Sequence, residues 1–344
     1  MRISIPYRTR CFLKRLGIGL LILAIVAVVA SLYLFADLEQ YVVYTRSGAK
    51  LDFSRTNKNL TGQMAVRKPI EPVKIYYHDG VETEEKNKEM TQLIGYYVTA
   101  EELETDLEAV REQIKALPAK TPIMIDVKSI YGNFFYSSAV SENRNDDIDT
   151  AAMDSLIQEL SQSGCYAIAR LPALRDMLYG LHHVEDGLPV AAGYLWMDSE
   201  GCYWLNPKSD GTLVYLANIA NELKRLGFDE VVFTDFYFPE TESIVFNHDK
   251  QQALADAAKT LVNACANDQF TVSFAVNTYF AAPDGRSRMY LENAAAADAQ
   301  TLAEQFGFAD PHVRVVFQTT IHDTRFEDYS VLRPISDAEN ELTE

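Results

Sequence analysis

From residue 93 onward, short apolar runs alternate with amphipathic helical segments, and this alternation restricts the chain to very few folds. LIGYYVTA (93–100) leads into a helix whose Thr99 and Glu102 have the spacing of a capping box, with Leu103, Leu107, Val110, Ile114 and Leu117 along one stripe. PIMIDVKS (122–129) is the second strand. A helix near 150–162 ends at Gly164, and CYAIARLPA (165–173) follows as the third strand. A helix near 212–226, with Leu213, Leu216, Ile219, Leu223 and Leu226 at helical spacing, closes at Gly227 and feeds EVVFTDFYFP (230–239). The pattern repeats twice more, from a helix near 249–266 to FTVSFAVNT and from one near 294–306, closing at Gly307, to VRVVFQTT.

Six nearly continuous apolar strands separated by helices predict an α/β fold with parallel strands joined by right-handed crossovers. No glycine-rich phosphate loop follows any strand, so a (β/α)8 TIM-type barrel is preferred to an open dinucleotide-binding sheet. Eight strands are needed and six are clear. The other two are expected in VKIYYHD (73–79) and around YSVLRPI (329–335); otherwise the barrel is incomplete. AAGYLWMDSEGCYWLNP reads as a two-stranded excursion turning at Ser199-Glu200-Gly201.

The first 40 residues follow a different rule. Residues 16–36 form an uncharged, mostly apolar run of 21, the length a helix needs to cross about 30 Å of hydrocarbon. Arg2, Arg8, Arg10, Lys14 and Arg15 precede it and acidic residues begin only at Asp37, which orients a cytoplasmic tail (1–15), a transmembrane signal anchor (16–36) and an extracytoplasmic remainder. A cleaved signal peptide is the competing reading, because Ala30 and Ala36 each offer a small residue at a cleavage point. Residues 37–92 read as a stalk, 93–335 as the barrel and 336–344 as an acidic tail.

Charge bears on the partner. Taking the five tail cations from the overall −18 leaves about −23 on residues 37–344, which argues against nucleic acid as a partner. The four cysteines, Cys11, Cys165, Cys202 and Cys265, form no CxxC pair and imply no disulfide framework or zinc site.

In a parallel barrel the ligand face lies at the carboxyl ends of the strands. The polar residues there are Tyr97 and Thr99, Asp126 and Lys128, Arg170, Asp235 and Tyr237, Asn277 and Tyr279, and Gln318. Alternation puts Asp126 with Lys128, and Asp235 with Tyr237, on common faces. A charge amid apolar strand residues requires a partner or a wet rim. The structural alternative is that Asp126 pairs with Lys128 or Arg170 and braces the mouth.

WLNPKSDGTLVYLANIANELKRLGFDEVVFTDFYFP (204–239) resembles the putative glycosyl hydrolase domain family of bacterial envelope proteins, in which a GFDE turn introduces a strand ending like FDYVRFP. GYYVTA, MIDVKS and CYAIARLPALRD are similar to the family's first three strands, so the resemblance covers roughly residues 93–240. It implies a barrel related to the α-amylase type, acting on a polysaccharide or oligosaccharide through carboxylates at strand ends, with no cofactor. The implied catalytic residues are Asp235 as nucleophile or base, with Asp126 or Glu240 as the acid. The implied substrate contacts are Tyr97, Lys128, Arg170, Trp204, Asn206, Tyr237, Asn277 and Gln318.

This sequence departs from the family pattern at telling places. Anchored on Phe238-Pro239, the family aspartate falls on Thr234 and its arginine on Tyr237, so Asp235 sits one residue late. One residue reverses the face of a strand, so either a local bulge returns Asp235 to the mouth or it points toward the helices. IDVKSIYG lacks the acidic pair after its lysine, FAVNT offers no carboxylate, and the chain after residue 320 looks short for the family's last strands. A glycosidase needs two carboxyl groups roughly 5 to 10 Å apart.

Other constellations are weaker. His182-His183 with Glu185 and Asp186 reads as a solvated loop, and SENRNDDID lacks the glycine and closing glutamate of a calcium loop, so no metal is expected. Neither HExxH nor GxSxG occurs. The favoured reading is a membrane-anchored, extracytoplasmic glycoside hydrolase. The alternatives are a catalytically inactive barrel that binds glycans or scaffolds other proteins at the cell surface, and an open-sheet domain that binds a partner protein.

Overall fold

The computed structural model describes residues 42–45, 48–51 and 89–341. The chain divides into two units, Met1–Gly80 and Val81–Glu344. In the first, strands β1 (Val42–Thr45) and β2 (Gly48–Leu51) form an antiparallel hairpin within the segment expected as a stalk. The run 16–36 and the VKIYYHD strand lie outside the described residues. Among those described, no helix is long and apolar enough to cross a membrane.

The second unit is a closed barrel of eight parallel strands. They are β3 (Ile94–Val98), β4 (Ile123–Asp126), β5 (Ala167–Pro172), β6 (Glu230–Thr234), β7 (Thr271–Ala275), β8 (Met289–Glu292), β9 (Val315–Gln318) and β10 (Ser330–Pro334). Each pairs with its neighbours in sequence, and β10 closes on β3 through Val331 opposite Ile94. The closing strand lies in the expected YSVLRPI stretch, so the chain after residue 320 is long enough to complete the barrel. The remaining strand, β8, has no counterpart in the sequence reading. Only an irregular stretch joins it to β7, so the helix that marks the other strands is missing there.

Helices α1 (Ala100–Ala116), α2 (Thr150–Ser163), α4 (Asp210–Arg225) and α5 (Lys250–Cys265) are the long crossovers, and α3 (Met177–His182) lies in the excursion after β5. Both halves of the Thr99–Glu102 capping box are formed at α1. Gly227 after α4 has φ +96, and a Cβ there would lie 2.6 Å from that of Ser161, so both backbone and packing call for glycine. The helix expected near 294–306 is a short 3-10 turn followed by α6 (Ala299–Glu304). The expected acidic tail begins as a helix, Ser336–Glu341.

Alternation divides the apolar residues into two cores. Met124, Ile168, Val232, Ala275, Tyr290, Val316 and Leu332 pack together inside the barrel. Their neighbours, such as Ile125, Phe233, Phe274 and Phe317, join the helix-facing core with Leu103, Leu156, Leu216 and Leu261. Strands pack so closely that Gly95 of β3 has no room for a side chain: a Cβ would lie 2.1 Å from the carbonyl oxygen of Pro122. Gly95→Ala is expected to cost about 1–3 kcal/mol in urea unfolding, because backbone rather than a flexible side chain must move.

The amino-terminal floor is sealed by charge. Glu230 accepts from Arg288 Nη1, from Tyr166 (2.8 Å) and Tyr290 (2.9 Å) hydroxyls, and from Ser273. Arg288 also donates to the carbonyls of Thr91 (2.8 Å) and Val313 (3.0 Å), and both charged side chains are almost fully buried.

Candidate active site

One layer beyond the inner apolar core, toward the strands' carboxyl ends, the inward positions become polar: Tyr97, Asp126, Arg170, Thr234, Glu292 and Gln318. Each follows a core position by two residues or, for Tyr97, lines that core directly. Register places Asp126 opposite Arg170, and Glu292 opposite Gln318. Arg170 stands between two carboxylates, with Nε 3.4 Å from Asp126 Oδ1 and Nη2 3.5 Å from Glu292 Oε1. Burial opposes its charge, but Asp126, Glu292 and Asp235 outweigh that effect and hold the guanidinium above its ordinary pKa. Asp126 is further anchored by the Ala100 N–H at the start of α1 (2.9 Å). Burial pushes its carboxyl upward, with Arg170 and this N–H opposing. Glu292 Oε1 is buried and accepts no hydrogen bond among the described residues; its pairing with Arg170 is an ion-pair distance only.

Asp235 resolves the one-residue displacement. Its φ is +50, a left-handed conformation that aspartate tolerates better than most residues. Phe233 and Phe236 both face the helix-side core, where Phe236 packs 4.7 Å from Phe274 and 5.6 Å from Phe280. Two residues, not one, therefore separate consecutive outward side chains, and both Thr234 and Asp235 face the barrel. Thr234 takes the inward strand position and its hydroxyl lies 3.3 Å from Asp235 Oδ2. Burial pushes the Asp235 carboxyl above the usual aspartate range, Glu292 adds to the rise, and Arg175, the Thr234 hydroxyl and Lys128 oppose it.

The other expected residues divide into mouth and support. Lys128 is fully buried, its Nζ 2.8 Å from Asp176 Oδ2 and donating to the Pro172 carbonyl. Trp204 is buried: its indole N–H donates to Asp198 (3.0 Å) and its ring meets Tyr237 edge-on at 4.9 Å. The same Asp198 accepts from Arg175 Nε at 2.7 Å and closes the turn at residues 199–201 through the Glu200 and Cys202 N–H groups. Asn206 caps its own turn by accepting from the Lys208 N–H. Tyr237, hydrogen-bonded to Asn277, stands beside Asp235, and burial pushes up the phenols of both Tyr237 and Tyr97. Tyr279 is exposed and stacks on Phe306. Glu240 is exposed on the loop after β6.

The sequence model described as a putative glycosyl hydrolase domain matches residues 95–289, more than half of the chain. The chain belongs to this family. No curated protein matches the chain. Among solved structures it is similar to a hypothetical protein from Ruminiclostridium thermocellum ATCC 27405, at 20% identity and TM-score 0.45, covering 52% of this chain and 96% of that one. It is also similar to α-galactosidases from Lactobacillus brevis (10% identity, TM-score 0.47, covering 75% of this chain and 40% of that one) and Thermus thermophilus (13%, 0.41, 59% and 42%). The chain thus spans less than half the length of either galactosidase.

Sequence reasoning missed Glu292. The residue closes β8, the strand without a preceding helix, and lies past the last residue of the family match. The available signal was the apolar-to-acidic string RMYLE, a short strand ending in a carboxylate. Among the described residues, the one group of His, Cys, Asp or Glu close enough to share a metal is His183, Glu185 and Asp186, with ligand atoms within 4.8 Å of one another. Asp186 already accepts from the Tyr179 and Ser209 hydroxyls, which leaves that group poorly suited to a cation.

Proposed function

We propose that this protein is a glycoside hydrolase of polysaccharide or oligosaccharide chains, with Asp235 and Glu292 as its working carboxyl groups. The observation that carries the reading is their unequal setting at the mouth of one closed barrel. Asp235 is half-buried with a single long hydrogen bond and its carboxyl is pushed up, whereas Glu292 is ion-paired to Arg170. Acid-catalysed glycoside cleavage requires two carboxyl groups at one cleft, one of which can hold a proton, and Asp235, pushed upward by desolvation, suits that role.

The roles follow from that asymmetry, and for Asp235 they reverse the sequence expectation. Asp235 donates its proton to the glycosidic oxygen as the bond to the anomeric carbon breaks. The Glu292 carboxylate meets the positive charge left on that carbon, directly or through the attacking water, and the proton of the water consumed returns to restore Asp235. Asp126 acts as a brace that fixes Arg170, and Glu240 has no part in the pair. The apolar run 16–36 with its preceding cations supports an anchored protein whose barrel faces outward.

The test is release of reducing ends from a panel of α- and β-glucans, chitin oligomers and peptidoglycan glycan strands by the full chain. Cleavage of at least one supports the reading, and silence across the panel favours an inactive glycan-binding barrel. For an active enzyme, the rate is expected to fall on the basic side as Asp235 loses its proton. Arg175 favours the ionised form of Asp235, so Arg175→Met is expected to move that basic limb to higher pH. A pH–rate profile of the variant shifted the other way would contradict the assignment.

A further inference from the structure

The balance of charge and hydrogen-bonding groups at the mouth bears on which sugar it accepts, and this step rests on the hydrolase reading above. Three cations lie around Asp235, and each is already committed. Lys128 is held by Asp176, Arg170 by Asp126 and Glu292, and Arg175 by Asp198 at 2.7 Å and Glu200 at 3.3 Å. Five carboxylates thus face three cations even when Asp235 is protonated. The remaining donors among the described mouth residues are neutral: the phenols of Tyr97 and Tyr237 and the amides of Asn277 and Gln318.

Acceptor capacity is in surplus. Glu292 Oε1 is buried beside Arg170 and accepts no hydrogen bond, while about a quarter of the side chain, apart from that oxygen, stays exposed at the mouth. A uronate, sulfated or phosphorylated sugar would bring further negative charge to a cleft with no uncommitted cation among the described residues, and low-dielectric walls would magnify the repulsion. A protonated amine brings both the missing donors and the missing charge. We propose that the mouth selects glycans carrying free amino groups, of the glucosamine type, with the Glu292 carboxylate receiving the sugar ammonium.

Calorimetric titration of the full chain tests this with three probes: β-1,4-linked glucosamine hexamer, its fully N-acetylated counterpart and an oligogalacturonate. The glucosamine hexamer is expected to bind at least about tenfold more tightly than the N-acetylated one, with the ratio falling toward one as salt screens the contact. The galacturonate is expected not to bind. Glu292→Gln is expected to erase the preference for the amine, bringing the affinities of the two hexamers to within about twofold of each other. Equal or tighter binding of the N-acetylated or galacturonate probe, or no binding of the amine, would overturn the proposal. Binding of the glucosamine hexamer without release of reducing ends would leave charge selection standing and remove the hydrolase reading. Cleavage without amine preference would do the reverse.

Discussion

Replacing Asp235 by asparagine is expected to lower turnover on natural glycosidic linkages by about 10^3-fold while making the protein more stable at neutral pH. The loss reflects the 10^2–10^4-fold that a positioned general acid contributes. The gain comes from the same burial. Because the folded-state pKa of Asp235 is raised, the folded protein holds that proton more tightly than the unfolded chain does. Its contribution to stability is complete below the ordinary aspartate pKa of about 3.9 and is lost as pH rises through the folded value. Asparagine never ionises and accepts the left-handed φ of +50 as readily, so the variant should gain on the order of 1 kcal/mol at pH 7, a scale typical of relieved functional strain. Thermal melts across pH should show this advantage shrinking as the solution is acidified. Stability unchanged at every pH would mean that Asp235 is not held against its desolvation.

At the opposite end of the barrel, Glu230→Gln is expected to give the largest loss of stability, about 3–5 kcal/mol in chemical denaturation. Its partner Arg288 is buried, cannot shed its charge, and would be left with neutral acceptors alone: the glutamine amide oxygen, the Tyr166 hydroxyl and two backbone carbonyls. Activity per folded molecule should be unchanged, because the floor and the mouth are separated by the inner apolar layer. The double variant Glu230→Gln with Arg288→Met should recover part of the loss, since removing both charges leaves no unpaired ion. A single variant as stable as the parent would show that water or rearrangement supports Arg288.

The two ends of the barrel also show where sequence stops informing. Long crossovers with strong periodicity and glycine stops, such as Leu213 to Leu226 ending at Gly227, mark their strands plainly, and closure through YSVLRPI follows from counting to eight. β8 is hidden because four residues carry no period and no helix introduces them. Glu292 was hidden with it. The floor was illegible for another reason: Glu230 and Arg288 are 58 residues apart, and their pairing exists only once the barrel closes. Asp235 was visible as a residue but not as a direction. Alternation alone sent it toward the helices, and only the left-handed backbone between Phe233 and Phe236 returns it to the mouth. Lys128 and Trp204 were expected as substrate contacts, and Asp176 and Asp198 hold their polar groups in partnerships that no sequence spacing announces.

The division of labour between Asp235 and Glu292 is tested most directly by leaving-group dependence. The measurement compares Asp235→Asn and Glu292→Gln on a natural linkage and on a dinitrophenyl glycoside of the same sugar, whose departure needs no proton. Asp235→Asn should lose about 10^3-fold on the natural linkage and less than about tenfold on the activated one, while Glu292→Gln should fall equally far on both. The opposite pattern, with Glu292→Gln rescued by the activated substrate and Asp235→Asn not, would contradict the account.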